Sequence, residues 1–219
     1  MRPILYSFRR CPYAMRARLA LVSAGLSVEL REVVLRDKPA AFLQASQSGT
    51  VPCLTYQDKA HNKAIDESLD IMIWALQQKD PENWLAMPEH GWEWIARADG
   101  PFKTALDRTK YANRYPEADP VQQRELAGEF LADLNEQIGH WIFTTPSIAD
   151  FAILPFVRQF AFIDKPWFDQ QPWPDLQAWL NRFLTSHTFE RIMPKYPQWS
   201  PDQPAVLFPS QTGAEPPLS

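Results

Sequence analysis

The sequence predicts a mixed α/β domain followed by an all-helical domain, and three observations carry that prediction. Over residues 3–77, runs with strand character alternate with runs of helical period. At "KDPENWLAMPEHG", which begins at Lys79, prolines and a glycine interrupt the pattern in the manner of an interdomain linker. Beyond it, apolar residues recur at steps of three or four, as in Leu126, Phe130, Leu134, Ile138 and Trp141, and no run reads convincingly as a strand. The expected division is residues 1–80 for the first domain, 81–91 for the linker, 92–199 for the helical domain and 200–219 for a proline-rich tail.

Taken in order, Pro3 to Phe8 ("PILYSF") reads as a buried strand, and Met15 to Ala24 as a helix with Leu19, Leu21 and Val22 on its apolar side, stopped at Gly25. Ser27 to Leu35 alternates in part and is rich in Val and Leu; Pro39 to Ala45 is a short helix; Val51 to Tyr56 is a strand; Ser68 to Gln77 is a helix. A weak fourth strand around Ala64 to Asp66 completes the order βαβαββα, which predicts a mixed sheet covered by helices. In the second domain Leu176, Trp179, Leu180 and Phe183 repeat the helical spacing, which predicts a bundle. The tail from Ser200 carries too much proline to continue a helix and reads as extended, in part disordered.

Bulk properties narrow the function. A net charge of −4 on 219 residues argues against nucleic acid as a partner. Only Cys11 and Cys53 are present, so no disulfide scaffold is expected; the front of the chain shows no secretory leader, and no apolar run approaches the roughly 18 residues of a membrane span. A reduced, cytoplasmic protein without a membrane or metal partner is expected.

The chemistry concentrates in "SFRRCPYAMRARLALVSAG". Cys11 lies between the first strand and the first helix, where backbone N–H groups and the helix dipole favour an anion, and Arg9, Arg10 and Arg16 add positive potential. Pro12 suits the first helical turn and leaves the sulfur at an exposed end. A nucleophilic thiol titrating below the free-cysteine value of about 8.5 is expected, against the alternative of a buried, inert cysteine. A dithiol oxidoreductase would carry its resolving cysteine at position 14. Ala14 stands there, so the second thiol must come from Cys53 or from a small molecule.

Two further stretches offer recognition groups. In "SGTVPCL", Pro52 opens a strand; an ordinary trans proline at a turn explains it, while a cis bond would present the Val51 N–H and C=O to an extended peptide. In "AIDESLD", Ser68 can cap the following helix, whose N-terminus would also receive a carboxylate, with Glu67 beside it for an ammonium group.

Together, CPYA, "KP", "VP" and "ES" ahead of a helical domain resemble the cytosolic glutathione transferases, closest to the omega class. The resemblance implies a thioredoxin-like first domain, glutathione as cosubstrate, a homodimer, Cys11 as the catalytic thiol, and Lys38, Val51, cis-Pro52, Glu67 and Ser68 as the glutathione site. Glutathione fits those residues chemically: its γ-glutamyl end suits Glu67 and the helix start at Ser68, its central amide suits Val51, and its glycyl carboxylate suits Lys38. Bound glutathione would then supply the missing second thiol, through a mixed disulfide on Cys11. The expected function is a glutathione-dependent thiol transferase acting on glutathionyl mixed disulfides or small oxidants. The alternatives are conjugation of glutathione to electrophiles, for which Tyr6 or Ser7 would supply a hydroxyl, and a non-enzymatic partner-binding role.

The helical half specifies less. "PSIADFAILPF" places Ser147 three residues before Asp150, a capping box expected to serve folding. Lys103, Lys110 and Arg114 share a predicted helical face that reads as solvated or as the wall of an acceptor pocket, and Trp92, Trp94 and Tyr111 read as core or as part of that wall.

Overall fold

The computed structural model describes residues 2–59 and 61–210, so the end of the expected tail, 211–219, lies outside the described residues. The chain forms two compact units, Met1–Pro81 together with His187–Ser219, and Glu82–Ser186.

The first unit is built on a five-stranded mixed sheet in the order β4-β3-β1-β2-β5. Strand β1 (Ile4–Ser7) runs parallel to β2 (Val28–Glu32), antiparallel to β3 (Cys53–Asp58), and through β3 connects to β4 (His61–Ile65). Helix α1 (Pro12–Ser23) follows β1, α2 (Ala40–Ala45) precedes β3, and α3 (Ser68–Gln78) follows β4 and packs on α1. The period-two alternation of β1 divides its side chains between the faces: Tyr6 goes to Phe42 of α2, and Ser7 to Arg18 of α1. Gly25, at φ +64°, ends α1 with paired bonds from the Leu26 N–H to the Leu21 C=O and from the Gly25 N–H to the Val22 C=O, a conformation that favours glycine.

Three expectations change. Helix α1 begins at Pro12, three residues before the predicted start, because Pro12 supplies the first helical φ and Cys11 stands at the N-cap. The fourth strand is His61–Ile65, a fully or half-exposed edge whose polar residues give no apolar alternation. A fifth strand exists where none was expected: β5 (Val206–Phe208), beyond the helices, pairs antiparallel with β2 through Val28↔Phe208 and Leu30↔Val206. It and the short helix His187–Ile192 belong to the first unit rather than to the helical domain and a loose tail.

The second unit is helical. Helix α4 (Gly91–Arg97) continues through a wide turn at Ala98–Phe102, which contains Pro101, into α5 (Lys103–Lys110). Helices α6 (Pro120–Gln137), α7 (Ile148–Ala161), α8 (Lys165–Asp169) and α9 (Pro174–Leu184) follow, and the late helix His187–Ile192 takes the label α10. Ser147 and Asp150 form the expected capping box on α7, and the fully buried Asp150 also accepts from the Ile142 N–H at 2.9 Å and the Trp179 indole N–H at 3.0 Å. Residues expected as linker join this unit: Trp84 is buried, stacks on Phe151, and accepts at its C=O from the Ile148 N–H. Leu126 stands exposed, since the apolar face of α6 runs through Ala127, Phe130, Leu131 and Leu134 instead. The expected common face of Lys103, Lys110 and Arg114 is broken, because the backbone leaves the helix at Tyr111 and puts Arg114 in a separate turn, while Lys103 pairs with Asp107. Among the described residues, no helix is long and apolar enough to cross a membrane.

Candidate functional site

In the first unit Cys11 stands at the start of α1 with Val51 beside it, and Ser68 is tied to α1 through Arg16. Cys11 is the N-cap of α1, with extended backbone angles, and its chain is fixed by bonds from its N–H to the Phe8 C=O and from the Met15 N–H to its own C=O, both at 3.0 Å. The first-turn amides of a helix have no partner within the helix, so this end carries a positive potential toward the sulfur. The Cys11 thiol is half-buried and points to the Val51 C=O at 3.7 Å. Ala14 is fully buried, so position 14 offers neither a thiol nor access.

The loop that presents Cys11 is held from below. Arg18, fully buried, donates to the Arg9 C=O at 2.6 Å and to the Ser7 hydroxyl at 3.0 Å, and the Arg9 N–H donates to the Glu32 carboxylate at 2.6 Å. Both backbone groups of Arg9, two residues before the thiol, are therefore engaged. Burial lowers the Arg18 pKa to about 10, opposed by the negative charge of Glu32 and, when it is ionised, of Cys11, so Arg18 is a buried cation at neutral pH. Arg16 is buried as well, and its guanidinium reaches the Ser68 hydroxyl at 3.4 Å, linking α1 to the start of α3. Arg10 remains exposed over the Phe8 ring. Sequence reasoning included Arg16 but missed Arg18 and Glu32. The signal was available in two arginines spaced inside the apolar run of α1, which predicts buried cations in need of acceptors.

Val51 and Pro52 are buried, and the peptide between them is cis. Cys53, immediately after, has no exposure and its thiol is pushed up to about 12 by burial and by the neighbouring Asp66 carboxylate, so it stays protonated. It packs in a cluster with Tyr6, Val33, Phe42 and Val51. Neither cysteine forms a disulfide.

The start of α3 differs from expectation in one respect. Glu67 is the N-cap and Ser68 the first helical residue, and no side chain closes the cap. The Ser68 hydroxyl instead receives Arg16, because α1 packs directly on α3. Glu67 is exposed and makes no ion pair among the described residues, so its carboxylate faces solvent at a helix start. Lys38 is also exposed, just past the turn after β2 that the Val34–Asp37 bridge closes, and among the described residues no hydrogen bond or ion pair joins it to the other five.

Both hydroxyls considered for thiolate activation are committed elsewhere. The Tyr6 oxygen accepts from Arg31 at 2.8 Å with its ring against Phe42 and Trp199, and burial raises its pKa, outweighing the Arg31 charge. Ser7 is fully buried under Arg18. What the arrangement presents is one thiol at a helix N-terminus, a backbone edge at Val51, and a carboxylate beside a second helix N-terminus.

Comparison with known proteins gives two family matches. Residues 5–84 match the glutathione S-transferase N-terminal domain and residues 82–182 the glutathione S-transferase C-terminal domain. A probable glutathione transferase of Aplysia californica is 42% identical over 48 residues, covering 22% of this chain and 52% of that protein. Glutathione S-transferase omega-1 of Sus scrofa is 40% identical over 50 residues, covering 23% of this chain and 21% of that protein. The aligned stretches thus span about half and about a fifth of these relatives' own length. Among solved structures, a glutathione transferase family member from Pseudomonas fluorescens, crystallised with two glutathione bound, superposes with a TM-score of 0.75 at 19% identity, over 88% of this chain and 92% of that one.

Proposed function

The chain belongs to the glutathione transferase family, and from that premise we propose that it is a glutathione-dependent thiol transferase, omega-like in its use of a cysteine. The observation that carries this reading is the pairing of Cys11 at the N-cap of α1 with a buried alanine at the resolving position. A single thiol at a helix start suits nucleophilic attack and cannot close an internal disulfide in its own motif.

In the proposed cycle the Cys11 thiolate attacks the glutathionyl sulfur of a mixed disulfide. The sulfur–sulfur bond breaks, the substrate leaves as a thiolate that takes up a proton, and Cys11 carries the glutathionyl group. A glutathione thiolate then attacks that same glutathionyl sulfur, releasing oxidised glutathione and restoring Cys11. No other reductant is needed. Glutathione would sit with its γ-glutamyl ammonium on Glu67, its γ-glutamyl carboxylate at the start of α3, its cysteinyl amide along Val51 before cis-Pro52, and its glycyl carboxylate toward Lys38. The 3.7 Å approach of the Cys11 sulfur to the Val51 C=O supports this, since a tripeptide paired with Val51 brings its own sulfur near the nucleophile. Conjugation driven by Tyr6 or Ser7 is disfavoured by their engagement with Arg31 and Arg18.

Intact mass after incubation with oxidised glutathione tests the reading. One glutathionyl adduct is expected, lost in Cys11→Ser and retained in Cys53→Ala. An adduct that survives in Cys11→Ser, or none in the wild type, overturns it.

A further inference from the structure

One carboxylate has so far served only as a neighbour of Cys53. Asp66 closes the connection from β4 to α3, and its two oxygens gather donors from both sides of the Val51–Pro52 peptide. Oδ1 accepts from the Ser46 hydroxyl at 2.6 Å, and Oδ2 from the Gln47 and Ser48 N–H groups at 2.8 and 3.1 Å. The Cys53 thiol, following Pro52, donates to the same carboxylate. The serines carry the order onward: the Ser46 hydroxyl accepts from the Gly49 N–H at 2.9 Å, and the Ser48 hydroxyl from the Thr50 N–H at 3.2 Å. Every backbone N–H from Gln47 to Thr50 is thus bound to Asp66 or to a serine, and the first serine is itself held by Asp66.

This is more than one loop needs for solubility. The segment 46–50 is short of regular structure and turns through Gly49 at φ +63°, a conformation that would relax without fixed partners. A carboxylate with several short donors is a strong anchor, since charge-assisted bonds are about twice as strong as neutral ones. Asp66 also directly precedes Glu67 and Ser68 in the chain, the opposite end of the candidate site. One side chain therefore fixes the spacing between the backbone edge at Val51 and the start of α3.

We propose that Asp66 is a positioning residue for glutathione: it does not touch the tripeptide but holds Val51 at the distance from Glu67 and Ser68 that one γ-glutamyl peptide spans. The inference rests on the glutathione site proposed above. It predicts that loosening Asp66 weakens binding of the peptide without disarming the thiol, because Cys11 is held by its bonds to Phe8 and Met15 and by the Arg18 and Glu32 grip on Arg9.

The test compares wild type and Asp66→Asn in titrations with reduced glutathione and, separately, in the rate of Cys11 alkylation by iodoacetamide. Asparagine keeps the shape but offers one acceptor oxygen and places an NH2 against N–H donors. The dissociation constant should rise about tenfold, the scale of one lost bond to a charged group, while alkylation of Cys11 stays within about twofold. Ser46→Ala, which removes the relay to Gly49 and leaves the carboxylate, should weaken binding in the same direction and serves if Asp66→Asn does not fold. The double variant should lose less than the sum of the two, as members of one network do. Unchanged affinity in the folded variants overturns the inference while leaving the glutathione site standing. Affinity and alkylation falling in step overturn it as well, as general loosening. A wild type that binds no glutathione removes the site itself, and the inference with it.

Discussion

The two cysteines differ by position rather than by kind. Cys11 caps a helix at a half-buried surface, whereas Cys53 has no exposure and a thiol pushed up to about 12. At pH 7 such a thiol stays protonated. Iodoacetamide should therefore modify Cys11 in the native protein and reach Cys53 only after unfolding, read by peptide mapping with and without guanidinium; equal native rates would contradict the assignment. Arg18 carries the second expectation at this scale. Arg18→Met strips the Arg9 C=O and the Ser7 hydroxyl of their buried donor and should cost about 3 kcal/mol in urea unfolding. A loss under about 0.5 kcal/mol would place Arg18 with ordinary surface substitutions. The thiol was legible in the sequence because cysteine, proline and a helix start are adjacent. The grip beneath it was not: Glu32 reaches the Arg9 N–H across 23 positions, and no local pattern announces that.

Among the elements, α3 and α7 show how a helix start can be used. At α7 the box read from the sequence is larger in the structure, since Asp150 also binds Ile142 and the Trp179 indole. Asp150→Asn can satisfy only part of that set and should destabilise the helical unit by about 3 kcal/mol, more than a cap alone, whose loss costs about 1 kcal/mol. Differential unfolding of the two proteins checks it. Before α3, burial pushes the Asp66 carboxyl up, but the bonds from Ser46, Ser48, Cys53 and Gln47 prevail and its pKa is lowered. A lowered carboxylate contributes stability that is present above the unfolded value of about 3.9 and disappears as pH falls through the folded one. The stability gap between wild type and Asp66→Asn should hold from pH 7 to pH 5 and narrow below about pH 4; a gap independent of pH would mean the charge is not what holds the loop. Most elements were legible from period and punctuation. Strands β4 and β5 were not, for opposite reasons: β4 is an exposed edge with polar residues on both faces, and β5 has three residues between prolines and exists only because β2 leaves an edge for it.

For the molecule as a whole, the chain leaves the sheet-bearing unit at Pro81 and returns to it at His187. The matched family regions end at residue 182, yet α10 packs on α1, Trp199 lies on Arg31 and against Tyr6, and β5 closes the sheet. The last described residues thus complete the unit that carries the candidate site, and reading the tail as loose missed this because its apolar anchors, Trp199 and Phe208, are isolated among prolines. Among the described residues that unit presents a helix-end thiol at Cys11, while the Tyr6 and Ser7 hydroxyls are buried and held by Arg31 and Arg18, which makes the identity of the nucleophile the central question. The direct measurement is the rate of wild type and Cys11→Ser with a glutathionyl mixed disulfide, run beside an aromatic halide as conjugation substrate. A serine hydroxyl cannot form the mixed disulfide, but at a helix start it can donate a hydrogen bond to glutathione thiolate. Cys11→Ser should lose disulfide reduction and keep or gain conjugation, and a mutant that retained the wild-type reduction rate would contradict Cys11 as the nucleophile.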